Sequence, residues 1–167
     1  MILGMTTSTY TAVHVILSLI GIGAGLIVMF GLLGRKRLDG WTALFLATTA
    51  ATSLTAFGFP NEHITPGIVV GIVSLVALAV AVVARYARHL AGSWRGTYVV
   101  SAMIALYLNV FVAIVQSFEK VPALNAIAPK GSEPPFLITQ VVVMALFVAL
   151  SILAGKRFRP GPILRTA

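Results

Sequence analysis

Five long stretches of this chain hold no Lys, Arg, Asp or Glu, and the charged residues fall between them. A hydrocarbon core about 30 Å thick takes about 20 apolar residues per helix. The runs at 11–34, 41–58, 66–84, 96–118 and 136–155 are of that order. Lipid offers a backbone no hydrogen-bond partner, so uncharged runs of this length read as helices that satisfy their own polar groups. Membrane strands would instead alternate over about ten residues, and Val69-Val70 and Val141-Val142-Val143 do not alternate. The expected fold is therefore all-α, with residues 1–167 forming a single transmembrane domain. It is read as an integral membrane helical bundle with five transmembrane helices and short loops, the longest being 119–135. With 10% charged residues, against about 25% in soluble domains, no room remains for a separate soluble catalytic or nucleic-acid-binding domain.

The net charge of +8 raises nucleic acid as a partner, and the placement of the charge argues for lipid instead. Arg35, Lys36 and Arg37 lie in the first gap, Arg85, Arg88 and Arg95 in the third, and Lys156, Arg157, Arg159 and Arg165 in the tail. Ten of the twelve basic residues thus share one side, which is the positive-inside pattern. It puts the N-terminus outside, the C-terminus in the cytoplasm and the basic helix ends among anionic headgroups. Trp41, Trp94 and Tyr98 fall at the same interface, as amphipathic aromatics do. Cysteine is absent, so disulfides and thiolate metal sites are excluded. The N-terminus lacks the basic n-region of a signal peptide, and its apolar run is expected to remain as the first span.

Helical spacing assigns packing faces. Gly21 and Gly25 make a small-xxx-small pair in line with His14 and Ser18, and Gly67, Gly71 and Ser74 repeat the device. Such stripes serve internal packing or self-association, so a homo-oligomer or a membrane-complex partner is expected. Thr48, Thr52 and Thr55 share one side of the second span and should face protein, leaving Leu46, Ala50, Leu54 and Phe57 toward lipid. Thr65 and Pro66 mark the start of the third span. In the long loop Pro122, Pro129, Pro134 and Pro135 forbid one continuous helix, and 121–127 reads as a short amphipathic piece lying along the outer surface.

Orientation gives the polar residues depths. His14, Thr55, Gln116 and Gln140 fall near outer span ends, Asn109 lies deeper, and Glu62 and His63 occupy the outer loop 59–65. These seven form the candidate polar site, open to the outer side. His14 is the only histidine within a span, a placement that commonly marks function or a specific partner. Amides and hydroxyls inside spans also tie helices together, and that use competes with ligand binding at Asn109, Gln116 and the threonines. Glu62 and His63 with His14 make a thin ligand set without HExxH-type spacing, so no metal residue is assigned. No carboxylate pair or nucleophile–base pair lies within the spans, so no catalytic residue is assigned either.

Several segments carry a resemblance: Leu38-Asp39-Gly40-Trp41-Thr42-Ala43-Leu44-Phe45-Leu46, Phe57-Gly58-Phe59-Pro60, Ala84-Arg85-Tyr86-Ala87-Arg88-His89-Leu90-Ala91-Gly92, Ala105-Leu106-Tyr107-Leu108-Asn109-Val110-Phe111-Val112 and Ser132-Glu133-Pro134-Pro135-Phe136. From about Arg35 onward the chain resembles a family of small bacterial inner-membrane proteins that carry no known activity. The resemblance implies a multi-pass protein of the bacterial inner membrane and no reaction. The expected function is a non-enzymatic component that binds a small molecule in the outer polar cluster or serves as an accessory subunit. The rival expectation is a redox protein ligating haem b near the outer surface through His14, with His63 as a further ligand. A lipid-modifying enzyme ranks below both.

Overall fold

The computed structural model describes residues 2, 4–60 and 65–158. Among them every regular element is helical. In order these are α1 (Thr7–Leu33), α2 (Asp39–Ala56), α3 (Pro66–Val82), a π-helical turn over Val83–Ala87, α4 (Trp94–Lys120), α5 (Pro122–Ile127) and α6 (Pro134–Arg157).

Local chemistry sets most of the boundaries. Thr6 caps α1, its hydroxyl accepting from the Thr9 N–H at 3.2 Å, and Gly34 closes it by donating to the Phe30 carbonyl at 2.9 Å. Thr65 caps α3 through the Ile68 N–H at 3.3 Å, with Pro66 in the first turn, where a missing N–H costs nothing. Helix α4 stops where Val121 turns extended ahead of Pro122, which then opens α5. Helix α6 begins on Pro134 and Pro135, with Glu133 at its cap position. The expected amphipathic piece at 121–127 is this short α5.

Adjacent long helices run antiparallel. The Tyr10 hydroxyl at the start of α1 donates to the Thr55 carbonyl near the end of α2, while the π-helical turn after α3 meets Asp39 at the start of α2. Phe118 and Phe136 stack edge-on 5.4 Å apart where α4 ends and α6 begins, and Tyr98 meets Phe158 at the other end. Four of these helices, Thr7–Leu33, Pro66–Ala87, Trp94–Lys120 and Pro134–Arg157, are long and apolar enough to cross a membrane. Helix α2 is not among them. It forms over the second expected span, but it starts on a charged residue, Asp39, and carries six hydroxyl side chains in 18 residues.

The core is built from small and branched side chains: Ala24, Val28, Ala81, Ala102, Ala105 and Leu106 are all buried. Outside, large apolar residues such as Leu19, Phe30, Val76 and Ile138 are more than half exposed. A water-soluble bundle would show the reverse.

Two expectations about faces need correction. In α2 the buried side holds Thr42, Phe45, Leu46, Thr49, Thr52 and Ser53. Leu46 therefore packs inward, while Leu54 and Phe57 are exposed as expected. The inward face is centred on Thr49 because Gly21 and Gly25 of α1 admit both Thr49 and Phe45. Arg85, expected at the headgroups, is 1% exposed. The π-helical turn carries the helix past Ala84 and swings Arg85 into the core.

Candidate functional site

Five of the seven expected site residues are described, and these five fall into separate hydrogen-bonded groups. His14 and Thr55 meet directly, with His14 Nδ1 2.8 Å from Thr55 Oγ1. The ring stands edge-on to Phe59 at 5.4 Å, and Tyr10 meets the same Phe59 at 5.1 Å. Thr55 Oγ1 also donates within its own helix, to the Ala51 carbonyl at 2.8 Å. Among the described residues no protein group bonds His14 Nε2, and the side chain is half-buried. Gly58 makes room for this corner: a Cβ there would clash with the Tyr10 hydroxyl and lie only 2.8 Å from its Cζ.

One turn deeper, Ser18 and Asn109 form a second pair. The Ser18 hydroxyl donates to Asn109 Oδ1 at 2.8 Å, and Asn109 Nδ2 returns a bond to the Ser18 carbonyl at 3.4 Å. A Cβ on Gly21 would sit 2.9 Å from Thr49 Oγ1 and 3.1 Å from Asn109 Nδ2, so the missing side chain is what lets α1, α2 and α4 converge. Thr49 Oγ1 is buried there without a partner among the described residues. Tyr10, His14 and Ser18 on α1 therefore line a polar seam with Thr49 and Thr55 of α2 and Asn109 of α4. Sequence reasoning named His14, Thr55 and Asn109 but passed over Tyr10 and Thr49. The i, i+4 spacing of Tyr10, His14 and Ser18 was the available signal.

Gln116 and Gln140 belong elsewhere. Gln116 Nε2 donates to Glu119 Oε2 at 3.1 Å, beside a cavity of about 220 Å³ lined by Glu119, Asn125, Lys130 and Phe136 among others. Gln140 lies in the α4–α6 seam, where Nε2 donates to the Phe111 carbonyl at 3.3 Å and Oε1 is buried unpartnered. Glu62 and His63 lie outside the described residues, as do Arg159 and Arg165 of the tail. Among the described residues no group of three or more His, Asp or Glu side chains gathers as a metal site would require.

The opposite end holds a polar cluster absent from the sequence reading. Arg85 Nη2 bonds Asp39 Oδ1 and donates to the Arg37 carbonyl at 3.1 Å. Its guanidinium also lies 5.2 Å from the centre of the Tyr98 ring, a favourable cation–π distance. Arg37 Nε meets the same Asp39 oxygen at 3.3 Å. Arg85 sits one residue past a charge-free run, and sequence periodicity carries no sign of a π-helical turn there.

Fold and surface define an all-helical bundle with four apolar helices fit to cross a membrane, consistent with a multi-pass membrane protein. No protein-family model, curated protein or solved structure matches the chain.

Proposed function

We propose that this protein is a non-enzymatic multi-pass component of the bacterial inner membrane that presents His14 to a small ligand or partner at its outer end. In this reading α2 is a fifth span shielded by its neighbours, the N-terminus is outside and the C-terminus is cytoplasmic. Support comes from the charge asymmetry of the gaps and from the antiparallel order of α1 to α4. Hydroxyls of α2 that lipid would leave unsatisfied are bonded within the protein, those of Thr48, Thr52 and Thr55 to carbonyls one turn back and that of Ser53 to Ser74 of α3. Tags fused at Met1 and Ala167 then report opposite compartments, and finding both on one side removes the topology.

One observation carries the binding role: Thr55 anchors His14 through Nδ1, which fixes the ring and leaves Nε2 as the nitrogen offered to a ligand. Purification of the wild type and His14→Ala in mild detergent, with mass spectrometry of co-purified small molecules and proteins, tests it. A companion lost only from the variant supports the role, and identical companions in both end it.

The same anchoring favours a haem reading as the alternative, since a ligating imidazole is commonly oriented by a hydrogen bond at its other nitrogen. His14 supplies one axial ligand from the described spans. A Soret band that His14→Ala abolishes selects this reading; colourless wild-type protein discards it.

A further inference from the structure

The basic end of the bundle buries several hydrogen-bond donors that no acceptor among the described residues reaches. Arg85 is 1% exposed, and of its three guanidinium nitrogens only Nη2 is bonded; Nε and Nη1 are buried without partners among the described residues. The Tyr98 side chain is fully buried beside Arg85, and its hydroxyl has no partner at hydrogen-bond geometry among the described residues. Arg95 lies three residues before Tyr98, on the same face of α4, and its Nε is likewise buried without a partner among the described residues. A buried donor left unbonded carries its full desolvation penalty, and a charged one more. Asp39, the carboxylate at this cluster, is already engaged by Arg85 Nη2 and Arg37 Nε, and it is 71% exposed.

We propose that Arg85, Tyr98 and Arg95 form a binding site for a phosphate group, either on a lipid headgroup or free in solution. The Arg85 guanidinium lies 5.2 Å from the centre of the Tyr98 ring, and Arg95 precedes Tyr98 by three residues on the same helix, so donors from two elements gather at this end, as a tetrahedral oxyanion with several acceptor oxygens requires. Arginine with a hydroxyl neighbour is the usual pairing for that chemistry. Further basic residues at the same end, Arg35, Lys36, Arg88, Lys156 and Arg157, raise the local anion concentration. Two connections lie beside the cluster, 34–38 and 88–93. Arg37 gives its carbonyl to Arg85, and Leu90 packs into the core. Both connections hold non-glycine residues at positive φ, namely Arg35 at 62°, Leu38 at 40°, His89 at 50° and Leu90 at 59°. The site is independent of His14 and of the outer seam.

The test uses the full chain in detergent and in nanodiscs. Inorganic phosphate is titrated calorimetrically, and native mass spectrometry compares retention of phosphatidylglycerol with that of phosphatidylcholine. Tyr98→Phe removes one unbonded hydroxyl at constant shape, so its Tm equals or exceeds the wild-type value; Arg95→Gln removes a surface-end charge. Each weakens binding at least tenfold. Saturable phosphate binding lost in both variants assigns a free oxyanion. Silence with phosphate but selective phosphatidylglycerol retention, lost in both variants, assigns the headgroup. Neither ligand bound, or binding unchanged in both variants, overturns the proposal. A fall in Tm for Tyr98→Phe also overturns it, because the hydroxyl would then be bonded within the protein.

Discussion

Ser18 and Asn109 are bonded twice across the α1–α4 interface, hydroxyl to side-chain oxygen at 2.8 Å and amide to backbone carbonyl at 3.4 Å. The first bond is short and the second long, so most of the pairing energy sits in the hydroxyl contact. Interhelical hydrogen bonds of this kind in membranes average about 0.6 kcal/mol and reach about 1.7. A double-mutant cycle with Ser18→Ala and Asn109→Ala, read by unfolding in detergent, is expected to give a coupling within that range. A coupling of zero means that the two side chains do not meet.

The glycines of α1 are expected to differ sharply. A Cβ on Gly25 falls 2.5 Å from Leu106 Cδ1 and 2.9 Å from Phe45 Cδ2, whereas one on Gly23 meets nothing within 4 Å. Gly25→Ala should destabilise by about 1–3 kcal/mol through overpacking. Gly23→Ala should be neutral or stabilise by up to about 1 kcal/mol, because alanine is the better helix former. Equal effects at the two positions contradict the packing described.

Much of the architecture is written in the charge-free runs. The starts of α3 and α6 follow from Thr65-Pro66 and Pro134-Pro135, whose capping and φ preferences act locally. The inward direction of His14 and Gly21 was legible because both lie on one stripe whose spacing the helix fixes, whereas the residues they meet were not, since a stripe does not name its partner helix. The rotation of α2 was not. A threonine every third or fourth residue on two sides of that helix makes its polar stripe ambiguous, and only the gap left by Gly21 and Gly25 selects Thr49 and Phe45. Gln116 and Gln140 share an expected depth with His14 but point into other interfaces, and depth carries no information about azimuth. The fate of Arg85 depends on one extra residue in a helical turn, which leaves no mark in hydrophobic periodicity.

The Arg85–Asp39 pair joins a side chain 1% exposed to one 71% exposed, and the two ends of the pair should respond differently to removal. Asp39→Ala leaves the guanidinium buried with only a carbonyl acceptor, at about 3–5 kcal/mol in a fully buried pair. Solvent around Asp39 lowers the expectation to about 1–3 kcal/mol. Adding Arg85→Met removes the stranded charge, so the double variant is expected to be more stable than Asp39→Ala alone. Chemical denaturation of the three proteins decides this, and a double variant weaker than the single one refutes it.

Glu133, at the cap of α6, should give the start of that helix a dependence on acid. Desolvation pushes its carboxyl up, but backbone N–H groups outweigh it: Ser132 donates at 3.0 Å and Lys130 at 3.1 Å, and the net effect holds the group below its ordinary 4.5. A carboxyl depressed in the folded state contributes stability that is fully present above the unfolded value. That contribution declines as pH falls below 4.5 and is gone once the folded-state value is passed. Because the carboxylate remains solvent-accessible and bonds only to nearby backbone, the effect is confined to the turn it closes over 130–133. Amide exchange at Lys130 and Ser132 should therefore accelerate on acidification below pH 4.5, relative to the intrinsic rate. Glu133→Gln should show the faster relative exchange already at neutral pH and lose the acid dependence. Wild-type exchange that tracks the intrinsic rate throughout would mean that the carboxylate does not hold these amides.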